Sequence, residues 1–203
     1  PVKPVRVIVP FPPGGAADIV ARAITQEMGR AWGAQVVVDN RAGAGGIIGA
    51  EIVANAVPDG YTLLVGTNGP IAISPHVIDR LPYDSLKHFA PVALFSQVPY
   101  VLVVHPSVKA ETLKEFVALA KAQPGRINFG SSGQAGTPHL CGELFRNLTG
   151  VDIVHVPYRG GGPAAQAVAA NQVQLTRFGV GNFLGVMQAG KVKALAVSTA
   201  KRS

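Results

Sequence analysis

The 203-residue chain is 48% apolar and only 14% charged, which excludes an intrinsically disordered chain and predicts one domain of ordinary size or two small ones. The longest apolar run, near residues 92–104, is interrupted and falls short of the roughly 20 residues of a membrane-spanning helix, and a single cysteine excludes an intrachain disulfide or a cysteine-rich metal site. The net charge is +7, but the basic residues occur singly along the chain with few aromatic residues beside them, which disfavours nucleic-acid binding. The excess positive charge is then either a feature of a soluble surface or the source of an electrostatic field that attracts small anions.

The first third of the sequence alternates predicted strands with predicted helices. Apolar, β-branched runs predict strands at residues 5–9, 36–39 and 61–66. Apolar residues at three- and four-residue spacing predict an amphipathic helix at 17–31, and a glycine loop opens a second helix at 47–56. This β-α-β-α-β order with short loops predicts a parallel sheet with helices packed on its faces.

The second half repeats the α/β pattern. Strands are predicted at residues 91–95, 99–105, 127–130, 152–156, 173–175 and 193–199, with helices at 111–122, 138–148 and 163–170. We place a boundary loosely at 95–105, which predicts a first α/β domain at residues 1–100 and a second at 101–203.

Four loops rich in Gly, Ser, Thr or Asn follow predicted strands, at residues 12–18, 66–70, 131–137 and 158–162. The carboxyl edge of an open α/β sheet is where ligands bind, and a helix N-terminus with free N–H groups favours anions. Two such loops facing each other across a cleft would hold a carboxylate from both sides. A single loop of this kind is more often only a tight turn.

Sequence motifs of enzymes are mostly absent. There is no phosphate-binding P-loop, Ile48 stands where a dinucleotide fingerprint needs its third glycine, and Gln134 interrupts a GxSxG nucleophile motif. The five histidines are scattered singly, so no metal site is predicted. A pairing of Ser132 with His139 lacks a third orienting group, and a small α/β hydrolase using the loop of Ser131 and Ser132 is kept as the alternative function.

Several longer motifs occur in one order along the chain. They are VIVPFPPGGAADIVAR at residues 7–22, NRAGAGG at 40–46, PDGYTL at 58–63, LPYD at 81–84, GELF at 142–145, HVPYRGG at 155–161 and KALAV at 193–197. In these motifs the sequence resembles the Bug family, the extracytoplasmic solute-binding proteins of tripartite tricarboxylate transporters.

The resemblance implies an α/β fold of the type II periplasmic-binding-protein kind, in which two doubly wound domains close like a Venus flytrap over a ligand cleft. It implies a carrier and not an enzyme, without a cofactor, that captures a small carboxylate. The candidate ligands are di- or tricarboxylates, acidic amino acids and aromatic acids. It further implies delivery to a membrane permease of such a transporter, no nucleic-acid partner, a monomeric state and a periplasmic location after removal of a signal peptide.

The resemblance also implies that backbone amides of the first glycine loop and the Ser/Thr-rich loop of the second domain hold the carboxylate. The residues at these positions are Phe11, Gly14, Gly15, Ala16, Ala17, Asp18, Thr67, Asn68, Ser131, Ser132, Gly133, Thr137, Tyr158 and Gly160. Asp18 has two interpretations. We favour a first-turn acid that complements the helix dipole and ties the loop together, over an acceptor for a ligand ammonium or hydroxyl group.

The sequence departs from the family pattern in two places. Family members continue beyond the point where this sequence stops, so we expect a first domain that is incomplete, without its C-terminal return segment. A truncated module that binds nothing is therefore a further alternative. The family's apolar-Phe-Asp stretch is replaced by Thr176, Arg177, Phe178 and Gly179. Arg177 would then add a cation for a second carboxylate, or face solvent.

Overall fold

The computed structural model describes residues 1–200 and arranges them around two β-sheets. The first sheet has three parallel strands in the order β2-β1-β3, which are Val5–Val9 (β1), Val36–Asn40 (β2) and Thr62–Leu64 (β3). Helices Ala16–Trp32 (α1) and Ile47–Ala54 (α2) connect these strands, and both were predicted, α1 from its hydrophobic periodicity and α2 from the glycine loop before it. A helical turn at Gly69–Ile73 then leads into the short helix Ser74–Val77 (α3).

The second sheet has five strands in the order β6-β5-β7-β4-β8. They are Tyr100–Val104 (β4), Ile127–Ser131 (β5), Ile153–Pro157 (β6), Leu175–Gly179 (β7) and Lys193–Val197 (β8). Strands β6, β5 and β7 run parallel, whereas β4 lies antiparallel to both β7 and β8. The helices of this half are Leu113–Ala122 (α4), Thr137–Thr149 (α5), Gly161–Ala169 (α6) and Leu184–Gln188 (α7).

Helices cover both faces of the larger sheet because successive side chains of a strand point to opposite sides. In β4, Val103 is buried in one cluster with Ala164 of α6, whereas Val104 is buried in another with Phe116 of α4. This layering confirms the predicted fold class, a doubly wound α/β architecture. The domain limits 1–100 and 101–203 stay a prediction, and residues 201–203 of the second lie outside the described residues.

The strand predicted at residues 91–95 is wrong. The structure gives this segment no strand conformation, and Val92 and Leu94 are 85% and 79% exposed. An apolar run becomes a strand only where a neighbouring strand offers backbone partners. Here the segment instead carries the chain from the first sheet to the second.

The strand predicted at residues 173–175 lies further along the chain, at Leu175–Gly179, and every residue of it is buried. The search for apolar runs misplaced this strand because Thr176 and Arg177 within it are polar. The sequence analysis also missed α3, α7 and the single turns at Ala44–Gly46 and Val180–Asn182, which are too short to show a helical period. None of the helices formed by residues 1–200 is both long and apolar enough to cross a lipid bilayer.

Candidate functional site

A cavity of about 1100 Å³ lies between the two halves of the molecule and continues along the apolar side of α1. Its walls include the first residues of three helices, namely Ala16 and Ala17 of α1, Thr137 and Pro138 of α5, and Gly161 and Gly162 of α6. Lys87 and His88 also line it, whereas no Asp or Glu of the described chain does. Three positive helix ends therefore border a space without negative side chains, an arrangement that favours an anion.

Asp18 ties the first glycine loop to α1 and is only 3% exposed. Its Oδ2 accepts hydrogen bonds from the Gly14 N–H and from Nε of Arg22, both at 2.9 Å, and its Oδ1 accepts one from Nδ2 of Asn40 at 2.9 Å. Burial on its own raises the pKa of this carboxyl, but the hydrogen bonds from Arg22, Gly14 and Asn40 together hold the pKa below its usual value. These contacts match the loop-tying interpretation of Asp18.

The cavity brings together part of the predicted site. The predicted residues that line it are Phe11, Gly15, Ala16, Ala17, Thr67, Asn68, Ser132 and Thr137. The predicted residues outside its lining are Gly14, Asp18, Ser131, Gly133, Tyr158 and Gly160. Gly133 and Tyr158 instead border a smaller pocket of about 460 Å³, together with Ser132 and Arg159. Ligand contact by any of these residues stays a prediction.

Thr67 brings a hydroxyl group to the cavity wall just after β3. Its Oγ1 is buried and has no hydrogen-bond partner within residues 1–200. Buried hydroxyl groups in native proteins nearly always have a partner, because an unpaired one loses its hydration without compensation. This unpaired hydroxyl makes Thr67 a candidate for ligand contact.

Ser131 organises the Ser/Thr-rich loop from a fully buried position. Its Oγ accepts a hydrogen bond from the Gly133 N–H at 3.0 Å and lies 2.6 Å from Nε2 of His155. The His155 ring stacks on His139, with ring centroids 4.1 Å apart. Burial, reinforced by the neighbouring His139, lowers the pKa of His155 to about 4, so its imidazole is neutral at pH 7.

This arrangement does not support a hydrolase. The sequence analysis considered Ser132 with His139, but the structure pairs Ser131 with His155. The Ser131 hydroxyl is buried and already donates to the Gly133 carbonyl at 3.2 Å, so it is not presented to an external acyl group. His139, in the first turn of α5, accepts a hydrogen bond from the Ala135 N–H at 3.3 Å.

Arg177 neither faces solvent nor lines the cavity, so both interpretations of it from sequence are wrong. The residue is 6% exposed, and its guanidinium carbon lies 5.8 Å and 5.3 Å from the ring centres of Phe129 and Phe145. Its Nε and one terminal nitrogen have no hydrogen-bond partner in the described part of the chain. Burial lowers the pKa of Arg177 to about 10, against the smaller opposing effects of Cys141 and Glu143.

Sequence reasoning missed several residues that the fold brings to the cavity: Val98, Tyr100, Phe178, Gly179 and Asn182. Tyr100 begins β4, and burial raises the pKa of its hydroxyl although a hydrogen bond with Thr137 opposes this. Among these residues, the sequence analysis had singled out only Phe178 and Gly179, because they lie in the stretch that departs from the family pattern. The others are separated in sequence from every motif that pointed to binding.

Comparison with known proteins gives consistent matches over the whole described fold. A sequence model of the family described as "Tripartite tricarboxylate transporter family receptor" matches residues 20–203. Protein BugT of Bordetella pertussis is 37% identical over 204 residues, an alignment that covers 100% of this chain and 63% of BugT. The chain spans less than two thirds of the length of the curated relatives that it matches.

Two solved structures from Rhodopseudomonas palustris are also similar to this chain over its full length. One is an R. palustris protein with adipate, with 36% sequence identity and a TM-score of 0.96, of which this chain covers 68%. The other is MatC with bound malate, with 35% identity and a TM-score of 0.93, of which this chain covers 69%.

Proposed function

The chain belongs to the family of tripartite tricarboxylate transporter receptors, and we propose that it is a periplasmic solute-binding protein that holds a small carboxylate between its two α/β halves. Two similar proteins were solved with the carboxylates adipate and malate, which supports this ligand class. The ligand is a di- or tricarboxylate, an acidic amino acid or an aromatic acid. The protein delivers it to a membrane permease of the same transporter.

The convergence of the α1, α5 and α6 N-termini on one cavity without acidic side chains is the observation that carries this proposal. A carboxylate placed there would receive hydrogen bonds from backbone N–H groups that have no partner inside their own helices. Such donors are fixed by the fold, so little ordering is needed when the ligand arrives. They recognise the carboxylate group itself and leave the rest of the ligand to the walls of the cavity.

Side chains at the cavity complete the proposed binding site. The Thr67 hydroxyl needs a partner, and Ser132 and Thr137 offer two more hydroxyl groups from the opposite half. The overall charge of +7 supports capture, because a positive field raises the encounter rate with small anions.

A thermal-shift screen of the purified chain tests the proposal. The panel contains malate, adipate, citrate, glutamate and benzoate, with malamide and adipamide as neutral controls of nearly the same shape. A ligand at a hundred times its dissociation constant adds about 2.7 kcal/mol of stability, which raises the midpoint of a chain this size by about 5–10 °C. We expect one class of carboxylate to raise the midpoint and its amide counterpart to have no effect.

Two outcomes would contradict carboxylate binding. One is a cooperative melt that no carboxylate in the panel moves, which would favour a module without binding activity. The other is an equal response to malate and malamide, which would show that charge is not recognised. A Thr67→Val variant refines the test, because it should weaken the response to the selected carboxylate while leaving the midpoint without ligand equal to or above that of the wild type.

A further inference from the structure

Asn182 connects the two halves of the molecule at the start of α1. It lies on the single helical turn Val180–Asn182 after β7, yet its Oδ1 accepts a hydrogen bond from the N–H of Ala16 at 3.3 Å, from 166 residues away in the sequence. Its Nδ2 donates to the carbonyl of Gly179 at 3.0 Å, which fixes which end of the carboxamide points at Ala16. The side chain is half-buried and lines the cavity.

The surrounding backbone leaves room for this carboxamide. A Cβ atom at Gly15 would lie 3.2 Å from Oδ1 of Asn182, and a Cβ at Gly161 would lie 2.5 Å from the same oxygen. A side chain at Gly161 would therefore displace Asn182. The glycines at the starts of α1 and α6 allow the oxygen to sit between two helix N-termini.

That position suits a negatively charged oxygen better than a neutral amide oxygen. The N–H of Ala16 is one of the donors at the start of α1 that have no partner inside the helix, and the dipoles of α1 and α6 both favour negative charge there. The amide oxygen of Asn182 thus takes a donor that a ligand carboxylate oxygen would also use.

We propose that the amide oxygen of Asn182 competes with a ligand carboxylate for the N–H donors at the start of α1, so that a bound carboxylate replaces this oxygen. This inference rests on the proposed function and adds to it a residue that sets affinity. A neutral ligand oxygen gains nothing in this exchange, because it replaces an equivalent amide oxygen. A carboxylate gains the full interaction with the two helix ends, so the exchange selects for charge.

An Asn182→Asp variant tests the competition directly, because it places a carboxylate of nearly the same shape at this position. Without ligand at pH 7, we expect its unfolding midpoint to exceed that of the wild type by about 2–4 °C. The helix ends lower the pKa of the new carboxylate, so the gain should be present above pH 4 and disappear as the pH falls through that lowered pKa. Gln97→Glu, an exposed change outside the helices that adds the same negative charge, is the control and should not show this gain.

Binding of malate and adipate, measured by titration calorimetry, provides the second readout. We expect the Asn182→Asp variant to bind the preferred one of these at least about tenfold more weakly than the wild type. Asn182→Ala removes the competitor and should bind it as tightly as the wild type or more tightly.

An Asn182→Asp midpoint no higher than that of the wild type would overturn the inference, since the position would then not favour negative charge. Weakened binding by Asn182→Ala would also overturn it, because Asn182 would then support the bound state and not oppose it. Failure of the proposed function is distinguishable, since in that case the wild type responds to none of the carboxylates in the thermal-shift panel, whatever the midpoint of the Asn182→Asp variant.

Discussion

Arg177 is the residue whose environment is least expected from its chemistry. A guanidinium has five N–H donors and no acceptor, and here two of its nitrogens are buried without a partner in the described structure. The rings of Phe129 and Phe145 offer weak compensation through cation–π contacts. Because its pKa of about 10 in the folded protein lies below its usual value, the charged form lowers stability at every pH below about 10.

Replacing Arg177 by methionine should therefore stabilise the fold. An apolar side chain of similar length keeps the packing against both rings and removes the desolvation penalty, so we expect the free energy of unfolding to rise by about 1–2 kcal/mol. Urea denaturation at pH 7 measures this change. Arg126→Met, at an exposed position before β5, is the matched control and should change stability by less than about 0.5 kcal/mol. A loss of stability in the Arg177 variant would show that the guanidinium stabilises the fold.

At the scale of elements, α5 packs closely against β5 because residue 142 of the helix is a glycine. Gly142 is buried in the middle of α5, and a Cβ atom there would overlap the ring of Phe129 on β5. Glycine inside a helix ordinarily lowers stability relative to alanine by roughly 1 kcal/mol. Close packing against a fully buried aromatic ring outweighs that disadvantage here. The same helix begins at Thr137, so its distance from β5 also sets where its N-terminus borders the cavity.

We expect Gly142→Ala to lower the free energy of unfolding by about 1–2 kcal/mol, because overpacking of the Phe129 ring exceeds the gain in helix propensity. Chemical denaturation measures the effect. Gly185→Ala is the control, since residue 185 lies within α7 and an added Cβ would meet no atom within 4 Å. The control should be neutral or gain up to about 1 kcal/mol. Equal changes in both variants would contradict the packing argument.

At the scale of the whole molecule, glycine backbones form a close contact between the two halves. A Cβ atom at Gly45 would lie 3.0 Å from the carbonyl oxygen of Gln134, and one at Gly133 would lie 3.1 Å from the N–H nitrogen of Gly45. Gly69 similarly approaches Gly136. These contacts border the pocket and cavity that contain the candidate site, so they limit how closely the two halves approach there.

A Gly45→Ala variant should weaken carboxylate binding by about three- to tenfold, because its methyl group keeps the halves apart where the proposed site closes. Titration calorimetry with the carboxylate selected by the thermal screen measures the change. Gly190→Ala is the matched control, because residue 190 does not line the cavity. Both glycines have positive φ, at +67° and +66°, but a Cβ at residue 190 would meet nothing within 4 Å. Equal binding by the two variants would show that backbone strain, and not the contact between the halves, explains any loss.

Much of the fold could be predicted from sequence because most elements carry a local period. Strand β1 and helix α1 agree with their predicted bounds within a residue, since β-branched runs and three- to four-residue apolar spacing depend only on neighbours in the chain. The prediction of a strand at 91–95 was wrong because pairing needs a second strand, which local composition does not report. The start of β7 was misplaced because Thr176 and Arg177 are polar although the strand lies in the middle of the sheet.

The sequence by itself determined the fold class, the longer strands and helices with the glycine loops between them, and membership of a receptor family, since each depends on residues close together in the chain. Only the tertiary structure decided that Asn182 meets Ala16, that Ser131 pairs with His155, and that Arg177 is buried beneath α5. The reason is physical. A hydrogen bond between residues far apart in sequence depends on how sheets and helices pack, and packing is a property of the whole molecule that no local pattern encodes.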